Sequence, residues 1–373
     1  MNAVLVNSAL NFGILAALSA VLYAAPGPAL SSPAVPFGVR VPPDRANDPA
    51  VETQRKGYRG PLLAVAAAVI VASVALGAAL DTPAAGAFGA VPLCAAAATL
   101  WTRAHRRIAR VKEADGWYDR TRQGVVTDMS LRTDPVRLPW AWTLPALAVT
   151  AVTAVVGAVV YPDLPARLAL PERTLGGTAF REYTTSVWLA FSLVFAQALV
   201  TLAGVGAVYG ILRARADLDV SRPASSAARH RRYLAVTSRA LLGITALLNL
   251  MLLGMSALMW SDSRSFPLLT LTIAVPLLAA LSVSAYLILR VGPSGSRLPD
   301  APAEPSTGLV PRDDDRFWRL SGTLYANAED PAILVPRRVG IGWTVNMGNP
   351  RSLLIASAVL AVATGAAVVL AVA

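Results

Sequence analysis

The feature that most constrains this chain is a series of apolar runs, each roughly 20 residues long, which is the length that crosses a hydrocarbon layer. Lipid offers no hydrogen-bond partners, so each run must satisfy its backbone groups internally, as a helix does. Charged residues make up only 15% of the chain, whereas an ordinary soluble domain has about 25%. We therefore predict an all-α polytopic membrane protein.

The apolar runs predict eight transmembrane helices, each bounded by proline, glycine or charged residues. Pro61 is placed in the first turn of the second span, where proline is tolerated, after a short polar helix over residues 44–58. No Lys or Arg precedes the first run, so it lacks the basic region of a cleaved secretory signal. The predicted spans are residues 3–24, 61–80, 86–102, 140–161, 186–212, 234–260, 266–289 and 352–372.

Basic residues divide unevenly among the connections between these runs. Of the 33 Lys and Arg residues, 29 lie in or beside four alternate connections, and 4 lie in or beside the other three. Cytoplasmic loops carry an excess of Lys and Arg, so we predict that the basic connections are cytoplasmic and that both termini are outside. The abundance of Arg and Ala is typical of a GC-rich bacterial genome, and we predict a multi-pass protein of a bacterial plasma membrane.

The predicted organisation alternates membrane helices with connections. The linker before the last folded segment is rich in Pro, Ser and Gly, a composition that buries little surface and predicts mobility. In chain order we predict helix 1 (1–25), a cytoplasmic loop (26–60), a helical hairpin (61–103), a basic cytoplasmic loop (104–139), helices 4 and 5 (140–212) around an extracytoplasmic loop (162–185), a basic cytoplasmic loop (213–233), helices 6 and 7 (234–290), the linker (291–310), the C-terminal module (311–350) and helix 8 (351–373).

No pattern in the sequence carries catalysis, cofactor binding or a metal. His105 and His230 are each followed by two arginines, and no Ser/His/Asp set, zinc spacing or nucleotide-binding glycine loop accompanies them. We predict that both contact lipid headgroups. The one cysteine, Cys94, lies in an apolar run. The protein is therefore predicted to be non-enzymatic, with no cofactor and no metal site.

The polar residues of the spans are mild, and no Asp or Glu lies within a span. All 22 Asp and Glu residues fall in connections or at the ends of runs, whereas an ion-coupled transporter buries an ionisable residue in a span. Gln197 and Asn249 are predicted to form hydrogen bonds between helices. The net charge of +11 comes from Arg-rich loops, which are predicted to bind anionic lipid headgroups and not nucleic acid.

The C-terminal module has the composition of a small folded unit. Residues 327–331 have turn chemistry, a short β-prone run follows, and the later glycines permit positive φ. We predict a β-hairpin-like module docked on the helix ends, with Arg337 and Arg338 pairing with residues 313–315; it is either a collar that seats the last helix or a recognition surface. Its candidate interaction residues are Trp318, Tyr325, Asn327, Asp330, Pro331, Arg337, Arg338, Gly340, Gly342, Trp343 and Asn346.

Several stretches resemble uncharacterised bacterial membrane proteins. The motifs are Asp-Arg-Phe-Trp at 315–318, Tyr-x-Asn-x-x-Asp-Pro at 325–331 and Val-x-Arg-Arg-x-Gly-x-Gly-Trp-x-x-Asn at 335–346. They look like the C-terminal module of a family described only as a domain of unknown function, and residues 37–42 resemble its first cytoplasmic loop. Residues 161–177 resemble a segment of the Sdp-type immunity and signalling proteins, although the His that such relatives carry is absent here.

Two functions remain open at this point. The first is a sensing, immunity or signalling-accessory role, with loop 162–185 as receptor face, the C-terminal module as cytoplasmic output, and a membrane or cytoplasmic protein as partner. The second is a permease or export component for a lipid-like or weakly polar substrate. A membrane-embedded enzyme would need a catalytic constellation, which the sequence lacks.

Overall fold

The computed structural model describes residues 3–28, 30–80, 84–126, 130–174, 177–299, 304–359 and 361, and these residues are mostly helical. The helices are α1 (Ala3–Ala24), α2 (Pro49–Ala79), α3 (Ala84–Ala114), α4 (Ser130–Thr133), α5 (Leu144–Val160), α6 (Val187–Ala190), α7 (Ser192–Leu212), α8 (Pro223–Trp260), α9 (Phe266–Tyr286) and α10 (Pro350–Val359). The strands are β1 (Gln123–Gly124), β2 (Arg167–Thr174), β3 (Gly177–Thr184), β4 (Val310–Pro311), β5 (Trp318–Arg319), β6 (Leu324–Tyr325), β7 (Leu334–Pro336) and β8 (Trp343–Val345).

Six helical segments of the described chain are long and apolar enough to cross a membrane, which supports the predicted class. They are Pro49–Ala79, Ala85–Ala114, Trp140–Asp163, Ser192–Leu212, Pro223–Trp260 and Phe266–Gly295. The first predicted span corresponds to α1, whose apolar stretch Asn11–Ala24 is shorter, and the eighth begins with α10. The rest of the eighth predicted span, apart from residue 361, lies outside the described residues.

The apolar faces of these helices are suited to lipid. Leu63 and Val71 on α2, and Phe88 and Val91 on α3, are all more than half exposed. Apolar surface of this extent is unfavourable in water and marks a site of contact with another apolar phase. For helices of this length and composition, that phase is the hydrocarbon core of a membrane.

The described residues form two compact units, and the first contains α1, α2, α3 and the C-terminal module. It comprises Met1–Asp128, Arg215–Ala227 and Gly292–Asn349. Leu15, Leu62 and Leu93 are fully buried where α1, α2 and α3 pack together. The same core continues into an aromatic group in which Phe37 lies 4.9 Å from Trp101 between ring centroids. Residues of the first predicted loop are therefore part of this core.

Helix α2 begins 12 residues before the predicted span, at Pro49, because Asp48 caps it by accepting a hydrogen bond from the Ala50 N–H at 2.9 Å. The prediction that Pro61 starts a helix is wrong, since Pro61 lies inside α2. The Pro61 ring would crowd the carbonyl four residues earlier. That carbonyl belongs to Gly57, and α2 continues through both residues.

The second unit contains α5, α7, α9, α10 and α8 from Ala228 onward, and comprises Met129–Ala214, Ala228–Val291 and Pro350–Ala373. The loop predicted at 162–185 forms an antiparallel hairpin of β2 and β3, with Pro171 opposite Phe180. Leu168 is fully buried and packs with Leu189, Met259 and Trp260. The sequence did not predict these strands, because the segment is rich in Pro and Gly. Strand pairing and the burial of Leu168 stabilise them.

The segment predicted as a mobile linker is held at several points of its described residues. Thr307 donates its N–H to the Ser221 carbonyl at 3.0 Å and its hydroxyl to the Val220 carbonyl at 2.7 Å. The Glu304 carboxylate accepts from the backbone N–H groups of Ala224 and Ser225, which lie in the first turn of α8. These are the groups that a helix start leaves without internal partners, so Glu304 serves as a cap from a distant part of the chain.

Candidate functional site

The C-terminal module folds as two small antiparallel hairpins, β5–β6 and β7–β8, joined by a bridge between Tyr325 and Asn346. Trp318, Tyr325 and Val335 form its buried core, and the ring centroids of Trp318 and Tyr325 are 5.1 Å apart. A single two-stranded hairpin is marginally stable in water. The module therefore depends on polar bonds within it and on contacts with the rest of the first unit.

Asn346, which is fully buried, fastens the turn of the module. Its Nδ2 donates to the carbonyls of Asn327 (2.9 Å), Asp330 (3.1 Å) and Ala332 (3.2 Å). Its Oδ1 accepts from the N–H groups of Asn327 and Gly348, each at 3.0 Å. One amide thus satisfies backbone groups on both sides of the turn, and a residue without that amide would leave several of them buried and unpaired.

Tyr325 and Asp330 bind an arginine from another connection of the first unit. Arg215 Nη1 lies 2.6 Å from Asp330 Oδ2 and 3.0 Å from Tyr325 Oη, and the guanidinium lies 5.1 Å from the Tyr325 ring centroid. The Tyr325 hydroxyl donates to Asp330 Oδ2 at 3.0 Å. Burial raises the pKa of Tyr325, so the hydroxyl stays protonated and remains a donor.

The first unit also contains the ion-pair cluster, which is defined as Arg40, Lys112, Arg338, Asp313, Asp314 and Asp315. Arg338 is only 4% exposed and lies at its centre. Its two terminal nitrogens bind Asp314 and Asp315 separately, and Nη1 also donates to the Gly38 carbonyl at 2.7 Å. The guanidinium lies 4.7 Å from the Trp318 ring centroid. This fork geometry is specific to arginine.

The other two cations of the cluster come from residues outside the module. Lys112 Nζ lies 2.7 Å from Asp313 Oδ2 and 2.6 Å from Asp315 Oδ2. Arg40 Nε lies 2.6 Å from Asp314 Oδ1, and the Arg40 backbone N–H donates to Asp315 Oδ1 at 3.0 Å. The three adjacent carboxylates are therefore bound from the first predicted loop, from the end of α3 and from the module itself.

The charges of the cluster set the protonation of its carboxylates. Burial opposes ionisation of Asp314, but Arg40, Arg338 and the Trp318 N–H outweigh it and lower the pKa to about 2, from an ordinary 3.8. Burial also opposes ionisation of Asp315, but Arg338 and Lys112 outweigh it and lower the pKa of Asp315. Both groups are ionised at neutral pH, so each keeps its ion pairs with the neighbouring cations.

The lowered pKa of Asp314 predicts that acid releases the module from the rest of the first unit. A carboxyl whose pKa is lowered by folding contributes stability above its ordinary pKa, and this contribution is lost as pH falls toward the folded pKa. Asp314 should therefore hold the module unchanged from pH 7 to about 5 and lose that hold between about 4 and 2. The measurement is the fluorescence of Trp318 during acid titration, obtained as the difference between the wild type and Trp318→Phe. In Asp314→Asn the Asp314 contribution to the transition should be missing; an unchanged transition in that variant would contradict the assignment.

Two glycines bring the module and the first predicted loop into backbone contact. Gly38 and Gly322 have φ of 78° and 82°, values that residues with a side chain rarely adopt. A Cβ on Gly322 would lie 2.5 Å from the Gly38 Cα, and a Cβ on Gly38 would lie 2.5 Å from the Ser321 carbonyl oxygen. Next to this contact, Trp101 Nε1 donates to the same Ser321 carbonyl at 3.1 Å. The docked position therefore requires the absence of side chains at both glycines.

Arg337 does not have the role predicted for it. It is exposed and donates its Nε to the Trp343 carbonyl at 2.9 Å, whereas its neighbour Arg338 forms the predicted pairs. Neighbouring residues of an extended chain point in opposite directions, so only one of two consecutive arginines reaches the carboxylates. Of the other predicted residues, Pro331 follows the turn at residues 328–329, and Gly340 and Gly342 lie in bends between β7 and β8 with φ of 82° and 98°.

The residues that sequence reasoning missed lie outside the module. Gly38, Arg40, Trp101, Lys112 and Arg215 supply much of its binding surface. Arg40 and Gly38 stand in the stretch 37–42 that carried a family resemblance, which was the one available signal. Lys112 and Arg215 lie in connections whose basic residues the sequence predicts to face lipid headgroups.

The histidines also differ from their predicted role. His230 is 5% exposed and its ring centroid lies 6.3 Å from that of Tyr233. His105 is half-buried, with Nδ1 at 2.9 Å from the Phe37 carbonyl oxygen. Headgroup contact is therefore wrong for the buried His230. Among the residues that the structure describes, no group of three or more His, Cys, Asp or Glu side chains is placed to hold a metal.

A separate polar feature, the amide cluster, lies among α5, α7 and α8 of the second unit. Gln197 Nε2 donates to Thr153 Oγ1 and to the Asn249 carbonyl, each at 2.9 Å. Asn249 Nδ2 donates to Thr201 Oγ1 at 2.8 Å and to Thr150 Oγ1 at 3.2 Å. Both amides are fully buried, and the predicted hydrogen bonds between helices are confirmed.

The amide oxygens of this cluster are acceptors that have no hydrogen-bond partner within the described chain. Their orientation follows from their neighbours: Gln197 Nε2 faces the Asn249 carbonyl and Asn249 Nδ2 faces the Ala146 carbonyl, and a carbonyl can only accept. Each amide must therefore present its nitrogen to that carbonyl. Two oxygens in an apolar bundle are left able to accept from a donor group.

The six membrane-length helices indicate a multi-span helical membrane protein. The ion-pair cluster and the two hairpins show that its C-terminal module is folded. Residues 328–353 match the model of a family of unknown function (DUF5808), so this part of the module is similar to that family. The match includes Asp330, Arg338 and Asn346 but not Trp318 or Tyr325. Searches of curated proteins and of solved structures found no match to this chain.

Proposed function

We propose that this chain is a non-enzymatic signalling-accessory protein of a bacterial plasma membrane, with a sensing or immunity role, whose C-terminal module binds an acidic partner protein in the cytoplasm. The excess of Lys and Arg in alternate connections supports a cytoplasmic module, an extracytoplasmic hairpin β2–β3 and both termini outside, with eight spans. The resemblance of residues 161–177 to the Sdp-type immunity and signalling proteins supports the receptor role of that hairpin.

The observation that carries the proposal is the division of charge in the module. Asp313, Asp314, Asp315 and Asp330 are all bound to cations of this chain. Of the module's acidic residues this leaves only Glu329, which is exposed. The exposed basic residues of the module are Arg312, Arg316, Arg319 and Arg337. Docking therefore fixes the carboxylates inside and leaves a basic surface outside, which is complementary to an acidic protein.

The test is affinity capture of the intact protein from its own membranes. Arg312→Gln, Arg316→Gln and Arg337→Gln combined should abolish capture of the partner, because three exposed charges are lost without disturbing the ion-pair cluster. The control replaces Arg106, Arg107 and Arg110, which are exposed on α3, with Gln. It removes the same charge and should retain capture. Equal loss in both triple variants would show non-specific attraction and would refute a partner surface on the module.

A permease for a weakly polar substrate is the second candidate, and the amide cluster favours it. Buried acceptors in a helical bundle suit a neutral substrate that donates hydrogen bonds. No carboxylate lies within the predicted spans, so we expect reconstituted vesicles to show no proton or sodium flux due to the protein. A proton or sodium flux that Gln197→Leu or Asn249→Leu abolishes would contradict this expectation, and such transport would count against the signalling role.

A further inference from the structure

The turn between β5 and β6 has a strained backbone. Three consecutive residues, Leu320, Ser321 and Gly322, have positive φ of 46°, 57° and 82°. Such values are uncommon for residues with a side chain, and they persist only where surrounding contacts enforce them. Glycine or asparagine adopts this conformation more readily than leucine. The presence of leucine in the turn therefore requires a reason other than backbone geometry.

Contacts with α3 fix the position of this turn. Ser321 accepts a hydrogen bond from Trp101 Nε1 through its carbonyl and donates its hydroxyl to Thr102 Oγ1 at 3.2 Å. Trp101 and Thr102 are the last residues of the apolar part of α3. No exposed side chain described before them on α3 carries a charge, and Phe88 and Val91 are apolar; the next exposed residue is Arg103. The turn therefore lies at the level where the hydrocarbon layer gives way to headgroups.

Leu320 is the most exposed large apolar side chain in the described chain, at 74%. This value matches that of Phe88, at 73%, on the apolar face of α3. The preceding residue, Arg319, is also exposed. An apolar side chain beside a cation at this level is complementary to the membrane–water interface, where acyl carbons lie on one side and lipid phosphates on the other.

We propose that residues 319–323 are a lipid-contacting turn, in which Leu320 enters the outer acyl carbons and Arg319 binds a lipid phosphate. The occupant is the bilayer that the helices span. The turn would attach the module to the membrane surface as well as to α3. Of the four exposed arginines of the module, this contact uses only Arg319, whereas the test of the protein-binding surface proposed above replaces the other three.

The test uses the full chain in nanodiscs that contain anionic lipid. In a Cys94→Ala background, a fluorophore on Leu320→Cys should be quenched several-fold more by a lipid with a nitroxide high on its acyl chain than the same fluorophore on Ala328→Cys. Ala328 is an exposed residue elsewhere in the module. Label on Phe88→Cys reports a position inside the hydrocarbon. Equal, weak quenching at 320 and 328 would overturn the proposal.

An unaltered chain provides a second measurement that avoids any defect of the labelled variants. A phospholipid with a photoreactive group near its glycerol should form adducts on residues 319–323 and none on residues 328–331. Excess free phosphate should leave these adducts unchanged. Leu320→Asn keeps a residue that tolerates positive φ and should lower adduct yield several-fold while the module stays docked. No adduct on 319–323 in the wild type would also overturn the proposal.

Discussion

Replacing Gly322 with Ala should detach the C-terminal module from the rest of the first unit while the helices stay inserted. The new Cβ would lie 2.5 Å from the Gly38 Cα and 2.6 Å from the Gly38 carbonyl oxygen, and both are backbone atoms that cannot move aside. The positive φ adds a cost of about 1 kcal/mol or more for a residue with a side chain. Either effect alone is large against the marginal stability of two short hairpins.

Chymotrypsin provides the measurement, because its sites at Trp318 and Tyr325 are buried in the docked module. In membranes that expose the module, cleavage at these two residues should be at least roughly tenfold faster in Gly322→Ala, which corresponds to about 1.4 kcal/mol. Gly57→Ala is the matched control: it places a Cβ in α2 where nothing lies within 4 Å, so cleavage should be unchanged. Wild-type resistance in Gly322→Ala would show that Gly38 and Gly322 are not in contact.

Replacing Arg338 with Met should have the second large effect. The substitution keeps an unbranched side chain but leaves Asp314 and Asp315 without their central partner in a buried site. Breaking a buried ion pair by removing one member costs about 3–5 kcal/mol, because the remaining charge is uncompensated. We expect chymotrypsin to cut rapidly after Trp318 and Tyr325 at a temperature many degrees lower than in the wild type.

Arg337 gives an unusually close control for this experiment. Arg337→Met removes the same charge one residue away, but from an exposed side chain whose one described bond is to the Trp343 carbonyl. A surface change of this kind costs about 0.5 kcal/mol or less. Arg338→Lys should have an effect between those of Arg337→Met and Arg338→Met, since it keeps the charge but one ammonium nitrogen cannot reproduce the fork that binds Asp314, Asp315 and the Gly38 carbonyl. Equal effects of Arg337→Met and Arg338→Met would contradict the ion-pair cluster.

The cluster explains why a strongly basic chain can hold a rigid module next to its membrane helices. Its carboxylates are consecutive, and their mutual repulsion is offset by cations from three parts of the first unit. Removing any one cation leaves an excess of negative charge. The arrangement therefore stabilises the docked module only when the first predicted loop, the end of α3 and the β7–β8 hairpin are all in place.

The sequence alone determined the features that depend on short stretches. Transfer of an apolar run into lipid is a sum over neighbouring residues, so the position of six membrane-length helices followed from composition. The turn at Asn327 and Asp330 was also local, because those side chains bond their own backbone. One of two arginines was correctly paired with the acidic residues at 313–315, since charge complementarity over a short distance left few alternatives.

Only the tertiary structure decided which distant residues meet. Arg40 and Lys112 have the local sequence of headgroup-facing residues, and their binding to Asp313, Asp314 and Asp315 depends on contacts between residues some 200 to 275 positions apart. The contact of Gly38 with Gly322 likewise has no local signature. Such pairs are specified by how the chain returns on itself, because the side chains are the same whether they face lipid or a partner carboxylate.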